Sequence, residues 1–152
     1  RLSKFVPAFI LDPRSRRRTM APDDEFNHQS MARVAASLEK DGVLVNTGAH
    51  GQREGLGLHW EIWMLVEGGL TPHEALRCAT ANPAKTLGMD RDLGTLQPGK
   101  LADLIVVEGN PLQDIRQSEK VAWTMVNGRL YDAATLNETV SRERKRAKYW
   151  WE

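Results

Sequence analysis

The sequence predicts an α/β protein in which helices and one buried strand precede a small β unit. Three observations lead to this prediction. Apolar residues recur at helical spacing up to Lys40, a β-branched run follows directly at residues 43–47, and the apolar period changes again after Gly94. A buried strand that directly follows a helix is typical of a parallel sheet. The length of 152 residues is about that of one domain.

Composition excludes several classes of protein. The chain is 41% apolar and 27% charged, with a mean hydropathy of −0.49, so a packed core is expected. No apolar run approaches the roughly 20 residues that a membrane span needs, and we expect no membrane partner. The single cysteine, Cys78, excludes a disulfide framework, a zinc ribbon and an iron–sulfur site. Its apolar helical neighbours indicate a buried structural thiol rather than a nucleophile.

The net charge of +1 hides an uneven distribution. Residues 1–20 carry a net +5 and residues 141–152 a net +3, which leaves −7 for the middle of the chain. Basic ends on an acidic body can contact nucleic acid or an anionic surface. The alternative is that the ends are solvated or pack on acidic parts of the same protein. We favour this alternative and expect no nucleic-acid partner, because aromatic residues that could stack on bases accompany the basic runs only at residues 149–151.

The first third of the chain predicts one helix and one strand. Residues 1–25 resemble a connecting segment, because prolines interrupt them. A helix is predicted from about Pro22 to Lys40, with Gly42 placed just after its end. Its apolar residues predict one buried stripe, formed by Met31, Val34, Ala35 and Leu38. Residues 43–47 are then predicted to form a strand that is buried on both faces.

The middle of the chain predicts three further helices. Residues 58–67 are apolar nearly all round, which indicates deep burial or an interface. Thr71 begins the next helix, with Pro72 in its first position and Glu74 able to complete a capping box. Asn82-Pro83 repeats the cap-and-proline pattern for a third, short helix.

The last third predicts the β unit. Residues 104–107 form a strand, and Asn127-Gly128 suits the type I′ turn of a hairpin over residues 121–131. A weakly amphipathic pattern predicts a final helix over residues 133–149.

The loop after the predicted buried strand is the candidate site. Four of its ten residues, 48–57, are glycine, and α/β enzymes place their chemistry in such loops. His50 could bind a metal or act as a general base, and the alternative is a loop histidine that hydrogen-bonds to backbone. Gln52 and Arg53 could contact a polar substrate, or could be ordinary surface residues. On the following helix, His59 and Glu61 could serve a metal site, although a core histidine with a satisfied ring is the simpler interpretation.

Two groups of motifs resemble a known family. The run 94–107, Gly-Thr-Leu-Gln-Pro-Gly-Lys-Leu-Ala-Asp-Leu-Ile-Val-Val, followed by Asn110-Pro111-Leu112, is similar to the closing signature of the metal-dependent amidohydrolases. Gly68-Gly69-Leu70-Thr71-Pro72-His73-Glu74-Ala75-Leu76 resembles the last barrel helix of that family. The resemblance covers most of residues 43–132 and is nearest to the imidazolonepropionase- and prolidase-like branch. It also extends to a bacterial subgroup that often carries an amino-terminal β-propeller.

The resemblance implies a composite fold and a function. Residues 1–92 would be the carboxyl-terminal part of a distorted (β/α)8 barrel, with residues 43–47 as its eighth strand. Residues 93–132 would be the carboxyl-terminal strands of a small β-sandwich, and residues 133–152 a basic tail. The parent protein would be a metal-dependent hydrolase of amide, peptide or cyclic amide bonds, not of esters, with a metal-activated water and a small-molecule or peptide-like substrate.

The resemblance also implies that most of the metal site lies upstream of this chain. In the family an Asp after the eighth strand binds the metal, commonly zinc, and handles the proton, and the matching position here is His50. This replacement favours the alternative of a non-catalytic binding or assembly module that retains the fold. The chain alone is expected to be inactive, and to form a homo-oligomer or associate with the missing amino-terminal part. The residues themselves do not indicate a cellular compartment, and the resemblance to the bacterial subgroup favours export to the periplasm.

Overall fold

The computed structural model describes residues 2–15, 22–51, 53, 55–140 and 142–151. The described residues contain five α-helices: α1 (Ala8–Ser15), α2 (Asn27–Lys40), α3 (Gly57–Glu67), α4 (Pro72–Cys78) and α5 (Ala81–Thr86). They also contain three strands: β1 (Leu104–Val107), β2 (Val121–Val126) and β3 (Arg129–Asp132). Short 3₁₀ turns lie at Leu2–Lys4, Asp23–Glu25 and Ile115–Glu119. None of the described helices has the length and apolar character needed to cross a membrane.

The core forms where α3 packs against α2 and α4. Small residues allow α2 and α3 to approach closely. Ala32 and Ala36 are the buried residues of α2, and Gly68, which directly follows α3, lies against the backbone of Ala32. A side chain at Gly68 would collide with the Ala32 carbonyl, so only glycine permits this helix spacing. The buried cluster consists of Ala36, Ile62, Leu65, Leu70, Ala75, Cys78 and Ile115.

The β unit is a three-stranded antiparallel sheet in the order β1-β2-β3. The register pairs Ile105 with Thr124 and Met125 with Leu130. Asn127 and Gly128 have φ of +48° and +76°, which is the left-handed pair that a type I′ turn requires. The strand over 104–107 and the hairpin are therefore confirmed, because their signals are local.

The predicted buried strand at residues 43–47 is not a strand in this structure. The segment belongs to no sheet, and Val43 is 50% exposed. A parallel strand exists only when neighbouring strands satisfy its backbone, and the described part of the chain supplies none. The barrel placement of this segment therefore stays a prediction.

The helical stripe predicted to be buried is also exposed. Helix α2 occupies the expected region, but Met31, Val34 and Leu38 are 63%, 53% and 43% exposed, and Ala35 is half-buried. The neighbouring side of the helix, which carries Ala32 and Ala36, faces α3 instead, because only small residues fit that close contact.

Both ends of the chain differ from expectation. Residues 1–25 contain helix α1 as well as 3₁₀ turns, not only a connecting segment. The described residues of 133–149 form turns and two isolated bridges, Tyr131 to Glu138 and Glu138 to Arg144, and contain no helix, so the predicted final helix is wrong. The Asp132 carboxylate accepts hydrogen bonds from the backbone and hydroxyl of Thr135, which makes a turn, and Leu136 has a left-handed φ of +61°. Local turn chemistry therefore outweighs weak amphipathicity.

Candidate active site

The glycine-rich loop lies between residues 43–47 and helix α3 and is held at both ends. At its start, the Gly48 amide donates to the Glu61 carboxylate of α3 at 2.6 Å. At its end, the amides of Leu56 and Gly57 donate to the Arg53 carbonyl at 2.9 and 2.8 Å. The loop is therefore fixed relative to α3, and Glu61 acts as its anchor.

His50 lies at the exposed turn of this loop. Its φ is +51°, and Arg53 has a φ of +52°, so two residues with side chains occupy the left-handed region. That conformation costs a non-glycine residue about 1–2 kcal/mol. Strain of this kind persists where surrounding contacts hold the backbone in place, as the loop anchors do here. His50 is exposed to solvent.

His59 lies in a different environment, between α3 and the 3₁₀ turn at Ile115–Glu119. Its residue is 8% exposed, and Nδ1 lies 3.2 Å from the Ser118 hydroxyl. The Trp63 indole donates to the same hydroxyl at 3.0 Å. This contact joins the helical layer to the β unit and supports the interpretation of His59 as a core histidine with a satisfied ring.

A cavity of about 870 Å³ opens beside the loop. Arg53 and His59 both line it, along with the Glu119 side of the 3₁₀ turn. Its wall is mostly apolar and includes Phe5, Leu11, Leu56, Leu58, Trp60, Ile105 and Val121. The structure thus brings two of the predicted substrate-binding residues to one cavity.

His50 and Glu61 are not among the residues that line that cavity. His50 is exposed at the turn, and Glu61 is used to hold Gly48. Gln52 lies outside the described residues. Among the described residues, no three of the His, Cys, Asp and Glu side chains come together as metal ligands. The described residues therefore do not form a complete site for a divalent metal, and His50 is at most one ligand of such a site.

A buried polar cluster that the sequence does not predict lies behind the loop. Asn82 does not cap a helix as predicted. It lies inside α5, is 2% exposed, and its amide donates to both carboxylate oxygens of Glu39 at 2.9 Å and to the Val45 carbonyl at 3.0 Å. The Val45 amide donates to Glu39 at 3.0 Å. The Asn-Pro pattern that suggested a cap was the only sequence signal at this position.

Cys78 lies against this cluster and is fully buried. Burial in an apolar environment, reinforced by the Glu39 carboxylate, raises the pKa of its thiol to about 11. A thiol in this state is not a nucleophile at neutral pH, which agrees with the structural role predicted for it.

Comparison with known proteins identifies the family. The model of the amidohydrolase family matches residues 14–131, which is most of the chain. The chain therefore belongs to the amidohydrolase family, and the resemblance in the closing motifs is confirmed.

Individual relatives match over shorter stretches. Ochratoxinase from Aspergillus niger is 47% identical over 58 residues, which are 37% of this chain and 12% of that protein. A 5-methylthioadenosine/S-adenosylhomocysteine deaminase from Teredinibacter turnerae is 35% identical over 88 residues, covering 51% of this chain and 20% of that protein. The structure of a Xaa-Pro dipeptidase superposes with a TM-score of 0.61 at 34% identity over 67% of this chain and 25% of the dipeptidase. The chain thus spans a quarter or less of these relatives.

Proposed function

We propose that this chain is the carboxyl-terminal part of a longer hydrolase that acts on carbon–nitrogen bonds in amides, peptides or cyclic amides. The observation that carries the proposal is the family match over residues 14–131. Relatives named as a deaminase and a Xaa-Pro dipeptidase support a carbon–nitrogen bond, rather than an ester, as the bond that is cleaved. The substrate is a small molecule or is peptide-like.

The proposed hydrolase uses a divalent metal, which we expect to be zinc. Such an ion supplies a nucleophilic water at neutral pH. The described residues form no ligand cluster, and we propose that most of the ligands come from polypeptide beyond them. The contribution of this chain is then limited to what His50 and the neighbouring loop residues do.

His50 is proposed to handle a proton at the edge of that site. Imidazole is the side chain whose ordinary pKa allows it both to accept and to donate a proton near neutral pH. The anchored loop presents it to solvent in a fixed backbone conformation, and the strain at φ +51° supports a functional rather than an incidental position. Arg53, on the cavity wall, is proposed to contact the substrate, and His59, held by Ser118, is proposed to shape the same wall.

The test is made on the full-length parent protein, with His50→Ala beside it. His73→Ala is the matched control, because His73 is an exposed histidine on α4 outside the loop. We expect stoichiometric metal by elemental analysis, turnover of amide or dipeptide substrates, a large loss of kcat in His50→Ala and none in the control. Unchanged turnover in His50→Ala would remove His50 from the mechanism. A metal-free, folded and inactive parent would favour the non-catalytic binding or assembly module.

Association with further polypeptide is part of the proposal. The exposed stripe of Met31, Val34 and Leu38 is apolar surface that a larger assembly would cover. Light scattering on the chain and on the parent tests this: a monomeric parent and a self-associating chain are expected if the missing part covers the stripe. A homo-oligomeric parent would instead assign the stripe to a subunit interface.

A further inference from the structure

The polar cluster formed by Glu39, Asn82 and Val45, called the clamp below, joins three separate parts of the fold. Glu39 is on α2, Asn82 is on α5, and Val45 is in the segment that leads to the candidate loop. Both hydrogen-bonding groups of the Val45 backbone are used, its amide by Glu39 and its carbonyl by Asn82. The buried Asn82 amide also donates to both Glu39 oxygens.

The clamp is the first of several hydrogen-bonded contacts that hold the backbone between Val45 and the loop. Two residues further on, the Thr47 amide donates to the Cys78 carbonyl at 2.9 Å. The next residue, Gly48, donates its amide to Glu61 at 2.6 Å. His50 follows only two residues later, so its backbone position depends directly on where these contacts place the chain.

Side-chain contacts take the place of sheet pairing in this segment. Residues 43–47 belong to no sheet in the described part of the chain, and without the clamp the Val45 backbone groups would lack protein partners. A buried amide with every donor used specifies one arrangement of its neighbours more strictly than apolar packing does.

We propose that Asn82 and Glu39 are positioning residues, which set the location of the His50 loop for the hydrolase. They do not touch the reacting atoms and act through Val45 and Gly48. This inference rests on the proposed function for its catalytic meaning. Its structural content, that the clamp holds residues 45–50 in place, is testable on the chain alone.

The first experiment measures amide hydrogen exchange by NMR in the 152-residue chain and in Asn82→Ala. We expect exchange at Val45 and Thr47 to accelerate roughly tenfold relative to Leu65 in the middle of α3, since losing a buried hydrogen bond costs about that factor. Thr86→Val is the matched control. It removes only the exposed bonds between Thr86 and Asn46, which lie on the same segment and the same helix α5. Equal acceleration at Val45 and Leu65 would show a general loss of stability and overturn the proposal.

A second pair of variants guards against misfolding of Asn82→Ala. Asn82→Asp keeps the shape but places a second carboxylate against Glu39, and adding Glu39→Gln restores a donor and an acceptor to the pair. The amide oxygen introduced by Glu39→Gln can still accept from the Val45 amide, whereas the carboxylate introduced at position 82 has no donor for the Val45 carbonyl. We therefore expect the double variant to recover part of the Val45 protection that Asn82→Asp loses. No recovery in the double variant would contradict the clamp as the positioning contact.

The same variants in the parent separate the two proposals. Positioning predicts that Asn82→Asp lowers kcat with unchanged metal content, that the double variant recovers activity and that Thr86→Val has no effect. A parent without hydrolase activity, combined with loosened exchange at Val45, would refute the proposed function and leave the clamp standing. An active parent in which Asn82→Asp changes neither kcat nor local exchange would refute the positioning role alone.

Discussion

Replacing Gly68 by alanine tests the packing that holds the helices together. Gly68 has φ −73° and ψ −11°, an ordinary helical conformation, so alanine meets no backbone strain there. The added Cβ would lie closer than 3.0 Å to the carbonyl of Ala32 and 3.0 Å from the Arg33 amide nitrogen. These are backbone atoms of α2, which no side-chain rotation can move. Helix α2 must therefore shift away from α3.

The expected cost follows from two opposing terms. Overpacking of this kind destabilises a protein by about 1–3 kcal/mol. A glycine-to-alanine change also stabilises the folded state by about 0.4–1 kcal/mol, because it lowers the conformational entropy of the unfolded chain. We therefore expect Gly68→Ala to lower the free energy of unfolding by about 1–2 kcal/mol, with a fall in Tm of roughly 2–4 °C per kcal/mol.

The assay is urea unfolding followed by circular dichroism, which reports the midpoint and the slope separately. Gly48→Ala is the matched control, because its added Cβ would meet no atom within 4 Å, and we expect a change within about 0.5 kcal/mol. A Gly68→Ala variant as stable as the wild type would show that α2 and α3 are not in the close contact described here.

Two further predictions concern the loop and the α4 cap. His50→Gly removes left-handed strain and is expected to raise the free energy of unfolding by about 0.5–1 kcal/mol, measured by the same urea assay. A loss of stability would instead show that the imidazole makes stabilising contacts. The backbone amide of Thr71, and then its hydroxyl, holds the pKa of Glu74 below its ordinary value of 4.5. Its stabilisation is therefore complete above that value and is lost as pH falls through the lower, folded-state pKa. Unfolding midpoints of wild type should fall more steeply than those of Glu74→Gln between about pH 5 and pH 3, and parallel profiles would contradict this reasoning.

Local signals in the sequence predicted local structure correctly. The capping box at Thr71 is present, with the Thr71 hydroxyl accepting from the Glu74 amide and the Glu74 carboxylate accepting from the Thr71 amide. Gly42 follows helix α2 with φ +88°, as expected of a residue just past a helix end. Asn127-Gly128 forms the predicted hairpin turn. Each of these depends on the conformational preferences of a few adjacent residues.

The buried residues were predicted less well, because the burial of a side chain depends on which other element of the fold packs against it. The apolar stripe through Met31 and Leu38 was expected to face the core, yet the buried side of α2 carries Ala32 and Ala36. Which side of α2 meets α3 is decided by the close packing of backbones at Gly68. Residues 43–47 likewise carry strand-forming residues without strand neighbours in the described chain.

For the candidate site, the sequence located the loop and its histidine, and these remain predictions of function. It also placed Arg53 and His59 near that loop, and the structure puts both on one cavity wall. It could not find the clamp, since Glu39, Val45 and Asn82 are far apart along the chain and Asn82 resembled a helix cap.

The sequence alone thus determined the family, the Thr71 capping box, the Asn127-Gly128 turn, the helices from α2 to α5 and the three strands of the β unit. These follow from motifs and from dihedral preferences that act over a few residues. Only the tertiary structure decided which helix face is buried and that Glu39, Val45 and Asn82 come together as the clamp. Those outcomes depend on distances between residues remote in sequence, where close packing and the satisfaction of buried polar groups outweigh local preference.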